Sequence, residues 1–277
     1  MNIKNVIYYT PYKKLIKNGV SFSDYSKGKS YYTQLAPLFD ATNPRQLHTQ
    51  AEVSFLLSIV KRYLPQKQYS FLDIACGTGR HLKELAMKGY QVIGVDASKE
   101  LINIARKSVP DATLVLGDMR TFQLNAKVDC AYSLWDSYVY LSRPDDMKAF
   151  ANQCSAHIQQ GGILVLDSKN YYRESPKVRI THRIATSDNL TIDTLIRREF
   201  HPEDKVFEAI FTSIVEDRTT SEAHVIVDQT LARVYDIADL EKYLPGFRLV
   251  NCYGDFNDNS EFNPKTSERL IAVFQKA

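Results

Sequence analysis

Ser70-Phe-Leu-Asp-Ile-Ala75, then Cys76-Gly-Thr-Gly79, then Arg80-His-Leu-Lys-Glu-Leu-Ala-Met-Lys88 is the stretch that sets the architecture. The first run is short, mostly apolar and bounded by polar residues, so it reads as a buried strand. The glycines of the second allow a tight turn and a close approach of backbone to a ligand. The third reads as a helix, with Gly89 well suited to the position after its last turn. The same grammar continues downstream. Gln91–Val95 is a second strand, Ser98 caps a helix over Lys99–Ser108, and Thr113–Leu116 is a third strand. Val128–Leu134 is a fourth. Pro144 opens a helix running to about Gln160, Gly161-Gly162 closes it, and Ile163–Leu166 is a fifth strand. Strands separated by helices of this length predict an α/β fold with a doubly wound parallel sheet.

Upstream, residues 46–63 carry Ala51, Phe55, Leu56, Val60 and Tyr63 at helical spacing, and Pro65 ends that helix. Downstream the period changes to two. Leu190-Thr-Ile-Asp-Thr-Leu-Ile196 and Val206–Val215 alternate as extended runs, with the polar turn His201-Pro-Glu-Asp204 between them. Residues 178–234 therefore read as an antiparallel β insertion of three or four strands. Asp236–Leu244 follows as a short helix. Phe247–Tyr253 and Arg269–Phe274 complete the sheet as a hairpin, which makes seven strands. The expected organisation is an arm or lid over 1–30, an α/β domain over 31–177 and 235–277, and the insertion over 178–234.

Composition narrows the class. Of 277 residues, 44% are hydrophobic and 24% charged, which suits a packed core rather than a disordered or fibrous chain. A formal charge of +3, from 35 basic and 32 acidic residues, argues against nucleic-acid binding by the whole chain. Cys76, Cys130, Cys154 and Cys252 form no CxxC pair and lie near no histidine at zinc spacing. His182, His201 and His224 also lack metal spacing, so no metal is expected. No apolar run is long enough for a membrane span, and the default location is cytoplasmic. The leader holds six lysines and one acid, Asp24, and six tyrosines fall within the first 32 residues. It reads either as a surface arm or as a lid over an anionic or aromatic ligand.

The candidate chemistry lies at the carboxyl ends of the first three strands, where open α/β sheets bind ligands. Asp73, Ala75, Cys76, Gly77 and Gly79 form the first turn. Asp96, followed by Ala97, comes 19 residues after Gly77 and can accept from both hydroxyls of a ribose. Asp118 can accept from an adenine amino group while Met119 lies on the ring. A GxGxxG dinucleotide fingerprint would need glycine at position 82, which holds Leu82. After the fourth strand, Leu134-Trp135 and Tyr138 face the expected reacting centre. The indole of Trp135 either stabilises a cation through its face or fills the core. Lys169, with Asp167 and Asn170, either lines a substrate pocket or marks a polar strand exit. His81 either touches a cofactor's carboxylate or packs on its helix.

Asp73-Ile-Ala-Cys-Gly-Thr-Gly79 resembles motif I of class I S-adenosylmethionine-dependent methyltransferases. Asp96 matches that family's ribose-binding acid and Asp118 its adenine-binding acid. Tyr32-Thr-Gln-Leu-Ala-Pro-Leu-Phe-Asp40 resembles the Y-x-x-L-A-x-x-Y-D leading helix of the small-molecule branch. Tyr253-Gly-Asp-Phe256 and Ser267-Glu-Arg-Leu-Ile271 resemble its last hairpin. Phe39 departs from the family's usual tyrosine. The resemblance covers about residues 30–277. It implies a Rossmann-like fold, S-adenosylmethionine as cofactor, and a small-molecule nitrogen or oxygen as acceptor, as in the branch's amino-sugar and small-amine N-methyltransferases. It also implies that Tyr32 reaches the cofactor and, with Trp135, positions the reacting groups.

An RNA or protein methyltransferase is the first alternative. Enzymes acting on nucleobase or amide nitrogen carry Asn/Asp-Pro-Pro-Tyr/Phe where this chain has Ser133-Leu-Trp-Asp136. A cofactor-binding module without turnover is the second. A homodimer is compatible with all of these readings.

Overall fold

The computed structural model describes residues 36, 40, 48–65, 68–173, 178–186, 189–220 and 222–277. The expected arm over 1–30 and the expected contact of Tyr32 lie outside them. The described chain builds a seven-stranded sheet in the order β10-β11-β5-β4-β1-β2-β3 and a separate four-stranded sheet in the order β6-β7-β8-β9. The strands of the large sheet are β1 (Ser70–Ile74), β2 (Gln91–Asp96), β3 (Thr113–Leu116), β4 (Val128–Ser133), β5 (Ile158–Lys169), β10 (Phe247–Tyr253) and β11 (Arg269–Lys276). β1 to β5 pair in parallel, and β11 runs antiparallel to both β5 and β10.

Successive side chains of a strand point to opposite faces, and the two cores follow that rule. Phe71, Ile163 and Val165 bury against one face, with Val53, Leu56, Ile59, Leu82 and Ile102. Leu72, Ile74, Leu164 and Leu166 bury against the other, with Met147, Phe150, Cys154 and Leu240. Helices α1 (Thr49–Tyr63), α2 (Arg80–Met87) and α3 (Lys99–Ser108) cover the first face. Helices α4 (Pro144–His157) and α5 (Ile237–Tyr243) cover the second. Ser98 caps α3 by accepting from the Leu101 N–H, as its sequence position suggests.

Two expected boundaries move. Helix α4 ends at His157, and Gly161-Gly162 sits inside β5 instead of closing the helix. Between Val128 and Cys130 of β4, β5 advances from Ile158 to Ile163, so the glycine pair belongs to a bulge. Gly161 has φ +75°, and a Cβ on Gly162 would lie 2.9 Å from the backbone oxygens of Asp129 and Gln159. β4 also stops at Ser133, because Trp135 and Asp136 take left-handed φ of 59° and 63°.

The insertion is the four-stranded sheet: β6 (Arg179–Thr186), β7 (Leu190–His201), β8 (Val206–Asp217) and β9 (Glu222–Arg233). Its inner face is continuous with the second core through Ile196, Phe200, Phe207, Ala209, Phe211 and Ala232. At the β7–β8 tip, Lys205 Nζ donates to Asp236 at 2.8 Å and to Asp239 at 2.7 Å, the two acids of the capping box on α5. No helix among the described residues is long and apolar enough to cross a membrane.

Gly94 marks the tightest approach of helix to sheet. A Cβ there would meet Leu82 Cδ1 at 2.5 Å and the sulfur of Cys76 at 2.8 Å. Gly94→Ala should therefore destabilise the fold by about 1–3 kcal/mol through overpacking, read as a lower denaturation midpoint at unchanged slope.

Candidate active site

Strand order reverses between β1 and β4, and a cleft of about 410 Å³ opens there, at the carboxyl ends of β1, β2 and β4. Its floor is the turn after β1. Ala75 has φ 69°, Gly77 57° and Gly79 82°. The N–H groups of Ala75 and Cys76 both donate to the Val95 carbonyl, which ties the turn to β2. Ala75, Cys76, Gly77 and Thr78 line the cleft. Gly79 does not. It starts α2, and its missing Cβ leaves room for Ala105 and Val109 of the next helical layer.

Asp96 is 9% exposed and faces the cleft beside Ala97. Its Oδ2 accepts the Gly77 N–H and its Oδ1 the Ser98 N–H, both at 2.8 Å. Burial raises its pKa despite these two bonds. Each carboxylate oxygen has two lone pairs, so acceptor capacity remains toward the cleft. Asp73 is 2% exposed, lines the cleft, and its Oδ2 has no hydrogen-bond partner among the described residues. Met119 and Leu134 add apolar wall.

Asp118 is not on that wall. Arg120 forks over it, with the NH2 nitrogen 2.6 Å from Oδ2 and Nε 2.9 Å from Oδ1, and this hydrogen bonding lowers its pKa. The carboxylate expected to meet adenine is thus paired with a neighbouring guanidinium, with its side chain part-exposed. Tyr138 and Lys169 do not line the cleft either. Tyr138 is fully buried and donates to Ser168 Oγ at 2.9 Å. Asp167 is consumed by Arg269, and Asn170 holds the carbonyls of Pro264 and Ser267.

Trp135 does reach the cleft. Its N–H donates to Asp167 Oδ2 at 2.7 Å, and the Arg269 guanidinium lies 4.6 Å from its ring centroid. A cation of the protein itself is thus already within cation–π range of the indole. Its Nε1 donates to Glu52 Oε1 at 2.7 Å.

Sequence reading missed Glu52, which is the hub of the site's base. It is completely buried, and its Oε2 lies 2.5 Å from Arg80 NH1 and 2.6 Å from His81 Nε2. His81 Nδ1 in turn lies 3.5 Å from Asp73 Oδ2. The missed signal was positional: Glu52 occupies the stripe of Phe55, Leu56, Ile59 and Val60, where a charge has no reason to be unless it is paired. Asp40 was missed as a polar group too, and its Oδ1 accepts from Thr78 Oγ1 at 2.8 Å. From the insertion, Phe211, Asp228 and Thr230 line the same cleft, beside Tyr140.

Residues 71–162 match the family model of the methyltransferase domain. The chain is 35% identical over 117 residues to the dTDP-3-amino-3,4,6-trideoxy-alpha-D-glucopyranose N,N-dimethyltransferase of Streptomyces venezuelae, covering 42% of this chain and 49% of that protein. It is 33% identical over 140 residues to the dTDP-3-amino-3,6-dideoxy-alpha-D-glucopyranose N,N-dimethyltransferase of Streptomyces fradiae, covering 50% and 54%. The matches thus span about half the length of these relatives. The fold is shared with a S-adenosylmethionine-dependent methyltransferase from Clostridium acetobutylicum, at TM-score 0.73 and 21% identity over 89% of this chain and 99% of the other. It is shared equally with the sugar N-methyltransferase KedS8 from Streptoalloteichus, at TM-score 0.73 and 19% identity over 92% and 97%. The Rossmann-like architecture expected from the sequence is therefore the fold shared with these methyltransferases.

Burial opposes ionisation of Glu52, but His81 and Arg80 outweigh it and hold the carboxyl below its ordinary range. A carboxyl depressed in the folded state stabilises above its unfolded pKa, and that contribution is lost as pH falls through the folded value. Glu52→Ala should cost about 3–5 kcal/mol near neutral pH, since it strands the Arg80 guanidinium, the His81 ring and an indole N–H. In denaturant titrations the gap to the parent protein should narrow steadily below about pH 4.5.

Proposed function

We propose that this chain transfers a methyl group from S-adenosylmethionine to a small-molecule acceptor, with nitrogen as the receiving atom. The observation that carries this reading is Asp73: a buried carboxylate oxygen with no hydrogen-bond partner among the described residues, its nearest charged neighbour the His81 ring at 3.5 Å, at the wall of a cleft floored by the Gly77 turn. An unpaired buried carboxylate is costly unless a ligand supplies the donor, and an α-ammonium does so. The other lining groups fit the same ligand. Asp96 accepts from the ribose hydroxyls, and Met119 and Leu134 flank the adenine. Cys76, Gly77 and Ala97 approach as backbone. When bound, the cofactor supplies an electrophilic methyl carbon on a sulfonium. The chain's part is to hold the acceptor near 3 Å from that carbon and to exclude water. No general acid is required for such a displacement, so the lack of a triad is no obstacle.

Nitrogen and small size are both supported. The relatives are named for methylation of amino sugars. The insertion contributes Phe211, Asp228 and Thr230 to the cleft, which narrows it against a folded RNA or a protein tail. The reading includes a cytoplasmic location, supported by the free thiols of all four cysteines, and leaves room for a homodimer.

Calorimetry tests the cofactor directly. S-adenosylmethionine and its demethylated product should bind with low-micromolar affinity, roughly −8 kcal/mol, and absence of heat for both would overturn the reading. Asp96→Ala should weaken binding by about 2–4 kcal/mol, because two ribose hydroxyls lose their acceptor. Asp118→Ala should cost less than about fivefold, or roughly 1 kcal/mol, since Arg120 already claims that carboxylate. Turnover of labelled cofactor against a metabolite pool separates the enzyme from a binding module.

A further inference from the structure

The inner face of β9 alternates Ile226, Asp228, Thr230, Ala232. Ile226 and Ala232 are buried, and the strand's period of two puts Asp228 and Thr230 on the same side. Core burial alone would place apolar residues at both positions. Asp228 and Thr230 are half-buried there, polar groups on the face that the insertion turns to the cleft. Asp228 meets the cleft, next to its β8 pairing partner Phe211. It lies on the insertion's side, whereas Asp73 and Asp96 belong to the carboxyl ends of β1 and β2. The cleft therefore carries carboxylates from two separate layers, with the aromatic rings of Phe211 and Tyr140 near the second.

We propose that Asp228 anchors the acceptor, and that the acceptor is a primary or secondary amine that enters as an ammonium ion. This rests on the methyltransferase reading above and adds the group that selects the substrate. A half-buried carboxylate favours a cation over a neutral hydroxyl by charge, and the rings of Phe211 and Tyr140 in the same cleft favour the same ion. The ammonium must lose one proton before it reacts, to Asp228 and thence to solvent. The nitrogen lone pair then forms the N–C bond to the methyl carbon while the C–S bond breaks and its electron pair passes to sulfur. The positive charge that leaves sulfur arrives on nitrogen, again beside Asp228, so the same side chain stabilises the methylated product until its surplus proton leaves.

The test uses the full chain with S-adenosylmethionine and a panel of amines: dTDP-linked 3-amino-3,6-dideoxyglucose, a dTDP-linked 4-amino sugar, glycine and sarcosine, each beside its hydroxy counterpart. The parent should methylate at least one amine and none of the hydroxy compounds. Asp228→Asn should raise the amine KM by roughly ten- to hundredfold, the range expected when a charged hydrogen bond is lost, with cofactor Kd within threefold. Asp228→Glu should recover part of the loss, which a purely structural role would not produce. Methylation of a hydroxy compound as fast as its amine, unchanged amine kinetics in Asp228→Asn, or cofactor binding without methylation of any amine would each overturn the assignment. Absence of cofactor binding by the parent would instead overturn the methyltransferase reading and this inference with it.

Discussion

A single carboxylate without exposed surface holds the site together. Glu52 on α1 takes hydrogen bonds from Arg80 and His81 at the start of α2 and from the Trp135 indole beyond β4. Three segments distant in the chain are thereby fixed to one point. The charge can be buried because its partners supply charge and donors together, which is the condition on which buried ions are tolerated. The turn after β1, the wall carrying Trp135 and the orphaned oxygen of Asp73 all take their positions relative to this point.

A second buried acid completes the frame. Asp167 at the end of β5 accepts from Arg269 and from the Trp135 N–H, and the Asp136 carboxylate accepts the Lys169 N–H in return. Trp135 and Asp136 both hold positive φ, which costs of order 1–3 kcal/mol for each such residue. The exchange of bonds between the two strand exits offsets that cost. It fixes the indole with Arg269 near its ring, a task different from the ligand cation contact that the residue's position suggested.

What could be read from the sequence followed physical regularity. The strands and helices from Ser70 to Leu116 were legible because apolar runs, a glycine turn and an N-cap agree at each step. So were the antiparallel strands of the insertion, whose period of two is plain. Gly161-Gly162 misled because a glycine pair after a helical run suits a helix end and a strand bulge equally, and only pairing with β4 decides. The pairing of Asp118 with Arg120, two residues along the chain, went unread because a side chain's local partner is invisible to spacing rules. Tyr138 and Lys169 misled because proximity to a strand end does not say which way a side chain turns. Glu52 and Asp228 went unread for a shared reason: each is an acid in a row otherwise made for burial, and such a residue stands out only once the buried row is known.

The fastening of the insertion bears on how this enzyme class can change its taste in acceptors. Lys205 ties the tip of the β7–β8 hairpin to α5, and the sheet's inner face is merged with the main core. The partition on that side of the cleft is thus joined to the main domain by both ion pairs and apolar burial. Along β8 and β9, Phe211, Asp228 and Thr230 face the cleft from a sheet separate from the one that carries Asp73 and Asp96. On the proposed reading, methyl delivery and acceptor choice sit on separate pieces of scaffold.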